Sequence, residues 1–280
     1  MNVWSILGPA AGVAAGVGLW GAVAPTAELF GPTVHRTPDR STVALTFDDG
    51  PNPALTPQLL ALLERHGVRA TFFVVGRWAR ACPELVREIA ARGHEIGNHT
   101  ETHPKLALLT TSRIEQELTR CADSIASALG AGVNTATARA AAAPSCEVSM
   151  PQDAANSPES GVRWMRPPFG FRGPQLAGAV SNVGLRGVAM WSLTCYDWKP
   201  QRPAALIERL GRVMGKGALT PTAGRRGGEI VLLHDGDFQA LHADRQHVLV
   251  ALKYWLPRWR DAGLKFATID QVAGTPPDAA

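Results

Sequence analysis

An α/β fold built on parallel strands, as an open sheet or a barrel, is predicted by three observations. Short β-type runs alternate with helical patterns from Ser41 onward. Charged and histidine residues fall repeatedly where an apolar run stops, as at Asp48 and His234. The chain has 280 residues with 45% hydrophobic content, enough for a substantial core in one domain.

Taken in order, the first element is a run without charge, Val3 to Ala27. It is long enough for a helix across ~30 Å of hydrocarbon. The run is rich in Ala and Gly and lacks the basic stretch that opens a signal peptide. Ala22-Val23-Ala24 has the form of a cleavage triplet, yet Pro25 follows it. Residues 1–27 are therefore expected to be an uncleaved membrane anchor, with a removed signal segment or a buried helix as the alternatives. A linker over 28–40, a main domain over 41–273 and a tail over 274–280 complete the organisation.

Within the main domain, strands are expected near 43–47, 70–75, 94–98, 163–166, 187–192, 229–233 and 265–269. Helices are expected near 55–66, 83–92, 111–129, 174–182, 203–214 and 241–262. In the last of these, Val248, Leu252, Trp255, Leu256 and Trp259 recur at helical spacing, which reads as a core face. Two stretches break the rhythm. Residues 130–162 are alanine-rich and lack an aromatic, the composition of a flexible insertion, and 215–228 is a Gly/Arg-rich loop. Net charge is +4 with Lys and Arg scattered, so no nucleic-acid partner is expected, and nothing marks an obligate protein partner. Cys82, Cys121, Cys146 and Cys195 are widely spaced without a C-x-x-C, against a structural zinc knuckle.

Five patches carry chemistry. In Thr46-Phe47-Asp48-Asp49-Gly50-Pro51 two carboxylates sit side by side at a strand end. Adjacent strand residues point to opposite faces, so one Asp is expected to face a metal and the other a substrate or water. Like charges so close need a cation or a hydrogen-bond network to compensate them. His99-Thr100-Glu101-Thr102-His103 spaces two imidazoles four residues apart, as on one face of a helical turn. With Asp49 they form a His-His-Asp set that suits zinc, and also cobalt, nickel or manganese. Arg166-Pro167-Pro168-Phe169-Gly170 fixes the backbone with two prolines, leaving the Phe169 N–H for a ligand. Arg166 is expected to pair with a carboxylate, Asp48 being the candidate. In the last two patches, His234 ends an apolar strand in Leu232-Leu233-His234-Asp235, and Asp197 in Tyr196-Asp197-Trp198 is its expected orienting carboxylate.

In this order the five patches resemble the polysaccharide deacetylase family, the NodB-homology enzymes of carbohydrate esterase family 4, over about residues 41–273. The resemblance implies a distorted (β/α) barrel of about seven parallel strands, with the site at the strand C-terminal ends. It implies a metal-dependent hydrolase that removes N-acetyl groups from amino-sugar polymers or oligomers: peptidoglycan, chitin-like chains or another envelope glycan. By the same resemblance Asp48 is the catalytic base, Asp49, His99 and His103 hold the metal, and Arg166 orients Asp48. Asp197 tunes His234 as the acid, the Phe169 N–H meets the oxyanion, Trp198 walls the groove and Leu232 lines the acetyl pocket. Thr194 stands where many members have Asp, and Phe169 where Tyr is frequent. The expected setting is a membrane-anchored, extracytoplasmic domain in the cell envelope. The rival expectations are a noncatalytic glycan-binding protein of the same fold and an amidase acting on a small or lipid-linked amide.

Overall fold

The computed structural model describes residues 16–130, 161–214 and 228–274. Its strands are β1 (Thr33–Val34), β2 (Arg36–Thr37), β3 (Thr42–Asp48), β4 (Thr71–Val74), β5 (Glu95–Asn98), β6 (Trp164–Met165), β7 (Gly187–Ala189), β8 (Leu193–Thr194), β9 (Gly228–His234) and β10 (Lys265–Phe266). Helices intervene as α1 (residues 16–23), α2 (Thr56–Arg65), α3 (Gly76–Ala81), α4 (Pro83–Ala91), α5 (Thr111–Leu129), α6 (Leu176–Asn182), α7 (Pro203–Leu210), α8 (Gln246–Asp261) and α9 (Ile269–Ala273). The sheet runs β1-β7-β6-β5-β4-β3-β9-β2, with β8 added on β9 and β10 on β3. Every pair is parallel except β2 with β9, so the sheet is a barrel-like wall of mixed strands.

All seven expected strands are present, and the short β1, β2 and β8 were not foreseen. Two residues carry too little alternation to be read as a strand, and their pairing partners supply the order. The expected strand at 265–269 stops at Phe266, because the Thr268 side chain accepts from the Gln271 N–H and caps α9. Helix α8 begins at Gln246 rather than 241. Its Val248, Leu252, Leu256 and Trp259 are buried, and Trp255 donates to the Ile207 carbonyl at 2.7 Å. The expected insertion at 130–162 and the loop at 215–228 fall almost wholly outside the described residues.

Strand alternation divides β3 between two environments. Val43, Leu45 and Phe47 join the large cluster formed with the helices, whereas Ala44 belongs to a smaller one with Phe73, Trp164, Ala189 and Ile230. Register then places chemistry at one end of the sheet. Asp48 pairs with His234 across β3 and β9, and Asn98 pairs with Met165 across β5 and β6. The residues following these strand ends are therefore neighbours, although they come from four distant parts of the chain.

No helix among the described residues is long and apolar enough to cross a membrane. Residues 3–15 of the uncharged run lie outside the described residues. The rest of the run is tied to the domain. Arg172, 1% exposed, donates to the Ala27 carbonyl at 2.6 Å and to that of Ala24, and its own N–H reaches the Ala22 carbonyl at 3.0 Å. The guanidinium thus meets carbonyls of the turn that follows α1, while the Arg172 N–H meets that of Ala22 in the last turn of α1, one the helix itself cannot satisfy.

Candidate active site

The C-terminal ends of β3, β5, β6 and β9 open into a cavity of about 450 Å³ lined by Asp48, Asp49, His99, His103, Phe169, Trp198, Leu232 and His234. Each of these was expected at the site from the sequence; Arg166 and Asp197 stand directly behind it. Trp191, Asp237, Phe238 and Arg245 also line the cavity and were not foreseen. The last three sit on the loop after β9, where only Asp235-Gly236-Asp237-Phe238 directly following His234 could have drawn attention to them.

Asp48 and Asp49 do not divide between two faces as strand alternation predicts. Asp49 leaves the strand in the left-handed region at φ 68°, which turns its carboxylate into the same cavity as that of Asp48. This turn packs closely under the loop after β9. A Cβ on Gly236 would lie 2.2 Å from the Asp49 carbonyl oxygen, so only glycine fits there.

His99 and His103 likewise are not on a helical turn. They sit on an irregular loop whose Thr100 and His103 have φ of 66° and 61°. The Thr100 hydroxyl accepts from the His103 N–H at 3.1 Å. Glu117 of α5 accepts from the Thr102 N–H at 2.9 Å and from its hydroxyl at 3.0 Å. Glu101 turns inward to Ser124 at 3.1 Å and to Arg80. Two acidic side chains thus tie this loop to the helices behind it.

The loop brings both imidazoles to one oxygen. Asp49 Oδ1 is 3.4 Å from His99 Nε2 and 3.1 Å from His103 Nε2. That oxygen is buried and has no hydrogen-bond partner, so two ring nitrogens and an orphaned carboxylate oxygen converge. The donor set fits a divalent cation with nitrogen and oxygen ligands. Burial opposes ionisation of Asp49, but His103 and His99 outweigh it and hold the carboxyl well below its usual range. Burial also lowers His103 against the pull of Asp49, favouring the neutral imidazole that a metal requires. His99 is oriented through Nδ1, 2.7 Å from the Arg166 carbonyl oxygen.

Asp48 is compensated separately. Arg166, fully buried, donates to Asp48 Oδ1 at 2.9 Å and to the Thr46 hydroxyl at 2.7 Å. The same guanidinium reaches the Ala189 carbonyl at 3.2 Å and the Met190 carbonyl at 2.9 Å, and lies over the Phe73 ring. With four acceptors around it, it is fixed in place. On the adjacent strand β9, His234 Nδ1 is 3.0 Å from Asp197 Oδ1, while Asp197 Oδ2 accepts from the His234 N–H at 2.6 Å. Burial alone would lower His234; Asp197, with Asp49 and Asp48 beyond it, raises its pKa to about 9. Trp198 stands edge-on to His234 at 5.3 Å. Phe169 occupies the left-handed region at φ 59° on the Pro-Pro turn. Thr194, on β8 beside Leu232, has a buried hydroxyl without a partner.

A sequence profile described as polysaccharide deacetylase matches residues 35–146. A chitooligosaccharide deacetylase of Sinorhizobium fredii is 32% identical over 82% of this chain and 90% of its own length. The chain belongs to the polysaccharide deacetylase family. A solved peptidoglycan N-acetylglucosamine deacetylase of 26% identity superposes with a TM-score of 0.63, covering 86% of this chain and 91% of that one. A Bacillus anthracis pseudoenzyme of carbohydrate esterase family 4, 22% identical, shares the fold with a TM-score of 0.62 over 87% of this chain and 69% of that one. Membership of the family thus extends to a protein described as a pseudoenzyme, and the side chains in this cavity decide the reading that follows.

Proposed function

We propose that this protein is a metal-dependent hydrolase that removes N-acetyl groups from amino-sugar polymers or oligomers by general acid/base catalysis. One observation carries the proposal: a carboxylate held by an arginine, a His-His-Asp cluster and a carboxylate-bound histidine all face a single cavity. The related chitooligosaccharide and peptidoglycan deacetylases support the substrate class.

A divalent ion, most suitably zinc, held by Asp49, His99 and His103 would supply Lewis acidity toward an amide carbonyl and water. Asp48 would take the proton of the attacking water, its charge and position kept by Arg166. The Phe169 N–H would donate to the oxygen that gains charge as the acetyl carbon becomes tetrahedral. His234, protonated because Asp197 faces it, would deliver its proton to the departing amine nitrogen. Leu232 offers an apolar wall for the acetyl methyl, and Trp198 a ring face for a sugar.

The proposal is tested by measuring acetate release from N-acetylglucosamine oligomers and from peptidoglycan. Chelation should abolish it and zinc or cobalt restore it. Asp48→Asn should lower turnover by about 10²–10⁴-fold while leaving metal binding intact. Chelator-insensitive release, or full activity of Asp48→Asn, overturns it. As a further part of the proposal, residues 1–27 tether the domain to a membrane with the site outside the cytoplasm, supported by the uncharged run Val3–Ala27. A reporter fused after Ala280 that is active only in the cytoplasm refutes that placement.

A further inference from the structure

The two histidines of the candidate metal cluster are held in different ways. His99 Nδ1 meets the Arg166 carbonyl at 2.7 Å, the usual arrangement by which the ring nitrogen away from a metal fixes the imidazole. His103 Nδ1 is buried and has no hydrogen-bond partner. Aromatic faces surround His103 instead. Phe238 stacks on its ring with centroids 4.2 Å apart and planes 19° from parallel, and Phe169 meets it edge-on at 4.6 Å. Phe238 and Phe169 brace each other at 5.4 Å.

We infer that Phe238 is a positioning residue for the metal: its ring face, in place of a hydrogen bond, sets the plane of the His103 imidazole and aims Nε2 at Asp49. An imidazole without a bond at Nδ1 is free to rotate about its side-chain torsions, so its aim depends on what it packs against. A parallel ring restricts tilt over the whole imidazole face. Phe169 adds an edge contact, but it is 43% exposed on the cavity rim and restricts the ring less. Phe238 also lines the cavity, so the residue that orients the ligand forms part of the wall a sugar would pass.

The inference rests on His103 being a metal ligand, and the experiment separates the two. Zinc and cobalt affinities are measured by chelator competition on the full chain for wild type, Phe238→Ala, Phe238→Leu and Phe238→Tyr. Phe238→Tyr should bind as wild type. Phe238→Ala and Phe238→Leu should bind about 10–100-fold more weakly, the loss typical when a ligand's outer support is removed. Their metal-free unfolding temperatures should match that of Phe238→Tyr. Wild-type affinity in Phe238→Leu overturns the role of the ring plane; absence of metal binding in wild type overturns the ligand assignment itself. A rise in KM with unchanged metal affinity would make Phe238 a wall only and likewise overturn the inference.

Discussion

Asp48 and Asp49 are neighbours in sequence but differ in their compensation: Arg166 for one, two imidazoles for the other. Breaking the buried Asp48–Arg166 pair from either side would leave an uncompensated charge, so their roles in stability and chemistry are joined. His234 is governed in the same local way. The proposed chemistry uses its protonated form, and the nearby carboxylates raise its pKa to about 9, against burial. Activity that needs this proton should fall as pH rises through that value. In Asp197→Asn the main stabilising charge is gone, so the pKa drops and the alkaline fall in kcat/KM should move to lower pH. A pH–rate profile checks this, and an unmoved alkaline limb would separate Asp197 from the acid. The sequence offered Asp48 for Arg166 and Asp197 for His234 as candidate partners, and the structure pairs them.

At the scale of elements, the loop 99–103 illustrates where sequence spacing misleads. A spacing of four suggested a helical face, yet left-handed residues at Thr100 and His103 produce the convergence. Such a path is stable because α3 and α5 over-determine it. The Gly76 N–H reaches the Thr100 carbonyl at 3.0 Å, and the Glu101 N–H reaches the Glu117 carbonyl at 3.1 Å. Glu117 holds Thr102 through its carboxylate, so Glu117→Ala should loosen the loop and weaken metal binding by about tenfold. Chelator competition measures it, with helix content by circular dichroism as the check that α5 persists. Unaltered affinity would assign the rigidity to the backbone bonds alone. Helix α5 itself was legible at 111–129, because Thr110 caps its start and Gly130 ends it at φ 83°.

Across the whole molecule, Arg172 links the two regions the sequence separated, the uncharged run and the motif-bearing domain. A protein beginning at residue 28 loses the carbonyls of Ala22, Ala24 and Ala27 that Arg172 and its N–H engage. Its stability should fall by about 1–3 kcal/mol, the cost of unpaired buried donors. Arg172→Leu in the same truncated chain should recover part of it, as read by urea unfolding. Equal stability of full and truncated chains would show that the clasp contributes nothing. The sequence by itself determined the α/β order, the five patches and the motif-borne groups of the cavity, though not Trp191, Asp237, Phe238 and Arg245, since periodicity and local chemistry are written in consecutive residues. Tertiary structure decided what no local pattern carries: the register that sets Asp48 beside His234, the left-handed turns that gather both aspartates and both histidines, and the seating of Phe238 on His103. Those depend on contacts between segments from about fifty to nearly two hundred residues apart, and only packing of the whole sheet brings them together.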